Sequence, residues 1–289
     1  MLTKYLSLIK FSHTVFALPF AVIGFFMGTM MMDYHLDFSL LVKVVLCMVF
    51  ARSAAMAFNR YLDRDIDREN PRTKNREIPS GILPEKQVLL FVGVNATLFI
   101  LTTYFINLLC FILSPVALLV ILGYSYTKRF TAFCHLVLGV GLGLAPVGAY
   151  LAVTGSFHFL PVLLGLAVFF WVSGFDIIYA LQDEEFDQSH QLKSIPAVLG
   201  KKNALIVSRL LHFCSALFLT LFTYQATEIF SELQWLLILG YGLFLFMLVY
   251  QHTLVNEKDL SRVNLAFFTF NGLASVAFGL FFIADVYLL

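Results

Sequence analysis

Stretches of about twenty predominantly apolar residues recur along almost the whole of this 289-residue chain, and nothing else in it constrains the fold as strongly. A helix of about 20 such residues crosses the hydrocarbon core of a bilayer. Backbone groups in lipid must be satisfied within the segment, so runs of this length become spanning helices. Read at that length, the sequence predicts spans at roughly 12–32, 39–61, 87–108, 111–127, 133–153, 160–182, 203–225, 233–251 and 263–285. The expected fold class is therefore all-α: a polytopic membrane protein with nine transmembrane helices, forming one domain over residues 1–289. Composition agrees, with 60% hydrophobic and 13% charged residues, against about 25% charged in soluble domains.

The third and fourth spans could be merged, because only Ser114-Pro115, after Asn107, marks a break between them. Charge argues for keeping both. Basic residues near span ends stay on the cytoplasmic side, and they fall in alternate connections: Lys4 and Lys10, then Arg60 to Lys86, then Lys128 and Arg129, then Lys193 to Arg209, then Lys258 and Arg262. The opposite loops carry Asp33, Asp37, Glu228 and Glu232. Nine spans with a cytoplasmic amino terminus satisfy this alternation, and the run from Phe11 to Met32 is too long for a signal-peptide core. The expected location is a bacterial cytoplasmic (inner) membrane. A net charge of +1 gives no reason to expect nucleic acid, and the bilayer is the expected partner, with no obligate protein partner. Cys47, Cys110, Cys134 and Cys214 form no C-x-x-C pair and read as small buried hydrophobes.

Two polar stretches, Arg60 to Lys86 and Asp183 to Lys202, are longer than helix connections need. Each follows an acidic stripe. Asn59, Asp63 and Asp67 lie four apart at the end of the second span, and Tyr179, Asp183 and Asp187 do so at the end of the sixth. Residues four apart share a helix face. Like charges there repel, the more so at the edge of a low-dielectric region unless a cation pairs them; a divalent metal is the simplest such cation. The stripes correspond position by position, and each is followed by a similar loop, Arg76-Glu77-Ile78-Pro79 and Lys193-Ser194-Ile195-Pro196. This predicts two pseudo-repeated halves whose carboxylates face one another across a central cavity. Arg72, Lys74, Arg76, Lys128, Arg129 and Lys193 lie on the same expected side. Magnesium joins one or two carboxylates to substrate phosphates, and arginine grips phosphate with paired hydrogen bonds. The combination points to a metal-loaded diphosphate.

These motifs resemble those of the UbiA family of intramembrane aromatic prenyltransferases: N-x-x-x-D-x-x-x-D at Asn59 to Asp67, Arg72-Thr73, Pro79-Ser80-Gly81, the Tyr124 to Arg129 loop, and Y-x-x-x-D-x-x-x-D at Tyr179 to Asp187. The resemblance implies that a polyprenyl diphosphate binds through Mg2+ to the acidic clusters, ionises, and alkylates a small aromatic acid. It implies Asp63, Asp67, Asp183 and Asp187 as catalytic and metal-binding residues, and Asn59, Arg72, Arg76, Lys128, Arg129, Tyr179 and Lys193 as substrate-binding ones. Near the first span this chain has Lys10-Phe11-Ser12-His13-Thr14 and Leu18-Pro19 where 4-hydroxybenzoate members typically have Arg-Pro. The acceptor is accordingly open between 4-hydroxybenzoate and 1,4-dihydroxy-6-naphthoate, of a ubiquinone or a menaquinone route, with haem or a chlorophyll precursor as further alternatives. Lys10, His13 and Arg52 are candidates for its carboxylate. Asp176, deeper in the sixth span, is either a cavity residue or a structural hydrogen-bonder, while Lys201 and Lys202 read as orientation signals. A secondary transporter is the competing class, but its site would lie near the midplane, whereas these charges gather at helix ends.

Overall fold

Every regular element in the computed structural model, which describes residues 2–10, 16–32 and 36–288, is helical. In chain order these are α1 (Leu2–Leu8), α2 (Leu18–Met31), α3 (Phe38–Leu62), α4 (Arg64–Glu69), α5 (Glu85–Tyr104), α6 (Leu108–Thr127), α7 (Cys134–Thr154), α8 (Phe159–Ala180), α9 (Glu184–Ser189), α10 (Ile195–Ile229), α11 (Trp235–Leu254) and α12 (Asn271–Leu288). A 3-10 turn at Leu181–Asp183 links α8 to α9, and a π-helical turn at Leu265–Phe270 leads into α12.

Among the described residues, eight segments are long and apolar enough to cross a membrane, one fewer than expected. The shortfall is at the start. Helix α2 has 14 residues, about 21 Å at 1.5 Å per residue, short of a bilayer's hydrocarbon core. Residues 11–15, which open the first expected span and include His13, lie outside the described residues, as does Asp33. Outward faces carry exposed Leu119, Phe213 and Val249, as a lipid-facing surface requires.

Helices α5 and α6 are separate, but the break is not at Pro115. It falls at Phe105–Asn107, where the Asn107 side chain accepts from the Cys110 N–H at 2.8 Å and donates to the carbonyl of Leu151 in α7 at 2.8 Å. Pro115 sits inside α6. Ser, Thr and neighbouring helices can relieve an intramembrane proline, whereas an N-capping asparagine satisfies the free N–H groups that a new helix start exposes.

Helix α8 is the axis of the bundle, packed between α7 and α10 and buried along most of its length. Small residues permit this. A Cβ on Gly143 would lie 2.7 Å from the Gly165 carbonyl oxygen, and one on Gly165 would lie 2.7 Å from that of Gly143, so α7 and α8 meet backbone to backbone. Without a hydrophobic force between helices in lipid, such close approach supplies the packing energy. Helix α2 lies against α7 and α12, while α3 lies against α5 and α6. The carboxyl ends of α3, α6 and α8 thereby meet the start of α7 at one end of the bundle.

Candidate functional site

Both acidic stripes leave their helices in the same way. Helix α3 stops at Leu62 and α8 gives way to a 3-10 turn; Asp63 (φ −88°, ψ 2°) and Asp183 (φ −104°, ψ 3°) occupy the junctions, and each is followed by a six-residue helix. The stripes are thus not the continuous helical faces that their spacing predicts. In the first half the four-residue step still survives, because the Asp63 N–H donates to Asn59 O at 2.9 Å and the Asp67 N–H to Asp63 O at 2.7 Å. The matching junctions are the structural counterpart of the sequence repeat.

Three of the four carboxylates are paired with basic side chains. Asp63 is buried and meets Lys128 Nζ at 2.8 Å and the Arg129 guanidinium at 2.9 Å, while the Asn59 amide donates to it at 3.2 Å. Asp67, also buried, takes Arg76 Nη1 on both oxygens, at 2.7 and 2.8 Å. Asp183 receives a two-pronged contact from Arg72, with Nε at 2.8 Å, and Arg72 also donates to the Tyr179 hydroxyl at 2.9 Å. Burial works to lower the Arg72 pKa, but the hydrogen bond and charge of Asp183, with Tyr179, outweigh it and leave it above its ordinary value. Arg72 follows the first motif and Asp183 belongs to the second, so this pair ties the two halves together. Asp187 differs. Its side chain accepts from the Ser194 hydroxyl at 2.8 Å, and among the described residues no basic group pairs with it.

All four carboxylates, with Asn59, Arg72, Arg76, Lys128 and Tyr179, line one cavity of about 1170 Å³. Arg129 is not on its wall and acts on it through Asp63. Lys193 is exposed and off the wall; it contributes its backbone N–H, which donates to the Lys128 carbonyl at 2.7 Å. A second, apolar cavity of about 410 Å³ shares the walls formed by Arg52, Met56, Tyr124 and Leu138. The charged chamber therefore abuts a greasy one.

Sequence reasoning passed over two members of the chamber. Asn70 is buried, donates to Asp183 at 3.1 Å and accepts from the Arg72 N–H at 2.9 Å, so it holds the cross-half pair from behind. Asn before Pro is a turn signal that could have drawn notice. His135, in the first turn of α7, bonds Asp176 in α8 through Nδ1 at 2.7 Å. No local pattern announces a pair 41 residues apart.

Among the described residues no three His, Cys, Asp or Glu side chains converge as a ready metal cage. Carboxylates in ones and twos around a phosphate-sized, cation-rich chamber nonetheless fit Mg2+, which keeps several waters and takes the rest of its ligands from substrate phosphates. The chamber can thus hold an anionic, metal-bound headgroup, with space for an apolar tail beside it.

Comparison with known proteins agrees with this geometry. A model of the UbiA prenyltransferase family matches residues 17–273. The chain is 33% identical to a 4-hydroxybenzoate octaprenyltransferase of Nitrosomonas eutropha over 246 residues, 84% of this chain and 82% of that protein. A protein of the same description from Legionella pneumophila is 32% identical over 73% of this chain and 75% of its own length. Among solved structures, an apo UbiA homologue from Aeropyrum pernix superposes with a TM-score of 0.83 at 30% identity, covering 94% of this chain and 98% of that one. A UbiA homologue from Archaeoglobus fulgidus bound to GPP and Mg2+ shares the fold, with a TM-score of 0.75 at 22% identity over 98% and 99% of the two chains.

Proposed function

The chain belongs to the UbiA prenyltransferase family, a multi-span membrane enzyme by its own helices, and from that premise we propose that it transfers a polyprenyl group from a polyprenyl diphosphate to a hydroxylated aromatic carboxylate in quinone biosynthesis. The observation that carries this reading is the abutment of the charged chamber on the apolar cavity, which suits a substrate with a diphosphate head and a hydrocarbon tail. Arg72, Arg76 and Lys128 orient the diphosphate, with the Asn59 amide and Tyr179 hydroxyl beside it and Arg129 supporting the site through Asp63. Asp63, Asp67, Asp183 and Asp187 would hold Mg2+, which when bound would supply positive charge against the diphosphate. Because Arg76, Lys128 and Arg72 already sit on three of these acids, the same cations turn to phosphate oxygens over a short distance. The surrounding helices keep water from the allylic cation. The positive-inside pattern supports a site on the cytoplasmic face of a bacterial inner membrane.

Arg52 is our choice for the acceptor's carboxylate. It lies on the wall between the cavities, and its Nε is buried with no hydrogen-bond partner among the described residues, a costly state that an anionic guest relieves. Lys10 lies on the charged chamber's wall but is exposed. A charge-assisted hydrogen bond contributes about 1.5–3 kcal/mol, so Arg52→Leu should raise the acceptor KM by about 10-fold to 100-fold with little change in magnesium-dependent diphosphate binding. An unchanged acceptor KM removes Arg52 from the role.

The function itself is tested by product mass after incubating the purified protein in lipid with a polyprenyl diphosphate and Mg2+, offering 4-hydroxybenzoate and 1,4-dihydroxy-6-naphthoate in parallel. A prenylated acid is expected from one of them and names the acceptor. Product that persists in excess EDTA overturns the metal requirement, and no product with either acid overturns the acceptor class.

A further inference from the structure

Asp176 sits seven residues before Asp183, about 10 Å deeper in the bundle at helical rise, on the wall of the same chamber. Its Oδ2 is held by His135 Nδ1 at 2.7 Å. The other ring nitrogen of His135, Nε2, accepts from the Ile195 N–H at 3.4 Å. The Ile195 N–H on one side and the carboxylate on the other fix the ring between them, with Nδ1 turned to Asp176. Oδ1 of Asp176 accepts no hydrogen bond among the described residues, is not sealed from the cavity, and no lysine or arginine pairs with the group. Asp63, Asp67 and Asp183 are paired with lysine or arginine, whereas the partner of Asp176 is an imidazole. A carboxylate at this depth is expensive, and His135 offsets that cost through Oδ2 while leaving Oδ1 free on the chamber side.

We propose that Asp176 is the base that accepts the acceptor's ring-hydroxyl proton, with His135 as its positioning residue. The inference rests on the prenyl-transfer reading and adds a residue to it. When Oδ1 takes the phenolic proton, the O–H bonding pair stays on the ring oxygen and raises electron density at the ortho carbon. A ring π pair then forms the C–C bond to the prenyl C1, whose C1–O pair has left with diphosphate. The ring carbon next loses its hydrogen as a proton to the released diphosphate, restoring aromaticity, while Asp176 returns its proton to the ring oxygen. Atoms and electrons balance without an oxidant, and Asp176 ends as it began. The depth of Asp176 suits the order of groups along the cavity, with diphosphate at the mouth, the reacting carbon below it and the acceptor ring beyond.

The test compares wild type, Asp176→Asn, His135→Gln and His135→Leu in lipid. Each receives the acceptor that wild type uses and a ring-fluorinated analogue with a more acidic hydroxyl, and magnesium-dependent diphosphate binding is measured beside turnover. Loss of a general base costs about 10²-fold to 10⁴-fold, so Asp176→Asn should lose about that in kcat while binding diphosphate as wild type does. The fluorinated acceptor needs the base less, so the gap between wild type and Asp176→Asn should narrow about tenfold with it. His135→Gln, whose amide can donate the same bond, should lose less than His135→Leu. The proposal is overturned by an Asp176→Asn kcat within a few-fold of wild type, by an equal deficit with both acceptors, or by lost diphosphate binding, which would assign Asp176 to the headgroup site. Absence of product from wild type with any phenol removes the prenyl-transfer reading and this inference with it.

Discussion

Replacing Asp63 or Asp183 by asparagine should lower prenyl transfer by about a thousandfold or more, the range in which removal of an electrostatic stabiliser of a developing charge falls. Asparagine keeps the shape and removes the charge. Lys128 and Arg129 would then face a neutral amide where Asp63 stood, and Arg72 would do so at Asp183. Each variant leaves cations without a counter-charge and removes an oxygen ligand suited to magnesium. Both acids occupy junctions between helices and not helix interiors, so the spans should still insert and the protein should remain in the membrane fraction. Product mass and magnesium-dependent diphosphate binding measure the two losses separately. Near-wild-type turnover by both variants at saturating magnesium would falsify the assignment of the chamber as the diphosphate site.

The second large effect is on folding. Gly143→Val should destabilise the bundle by about 3 kcal/mol, the upper part of the usual range for overpacking, because the new Cβ would lie 2.7 Å from a backbone oxygen of Gly165. A flexible side chain could turn away; a helix backbone must move as a whole. Helices α7 and α8 carry His135 and Asp176 and open on the chamber, so activity should fall with thermal stability in detergent. Gly148→Ala is the control, since nothing lies within 4 Å of a Cβ built there, on the same helix. Equal melting temperatures for Gly143→Val, Gly148→Ala and wild type sink the claim that the glycine contact holds α7 to α8.

Much of this was legible in the sequence because two strong local rules apply. Lipid demands long apolar helices, so the segments beginning near Phe38, Glu85, Leu108, Cys134, Phe159 and Trp235 start within a few residues of their expected positions. Carboxylates four apart announce a polar site wherever they stand. The errors came where local rules compete. Pro115 reads as a breaker, yet a neighbouring helix tolerates it, and the real break needs Asn107 to reach the Leu151 carbonyl in α7. The first expected span is described as a helix over Leu18–Met31, and residues 11–15, which open it, lie outside the described residues, so the count of nine is not confirmed.

Hydropathy and spacing by themselves determined that the chain is a bundle of spanning helices with two acidic motifs at their ends, because burial in lipid and helical periodicity act over tens of residues or fewer. Only the tertiary structure decided which cation meets which acid: Arg72 crosses to Asp183, Lys128 and Arg129 reach Asp63, and Asp187 is left with a serine. It also decided that His135 aims Asp176 into the chamber. The His135–Asp176 pairing depends on how closely α7 and α8 approach, a distance limited where Gly143 faces Gly165, a contact between segments that no single stretch of sequence contains.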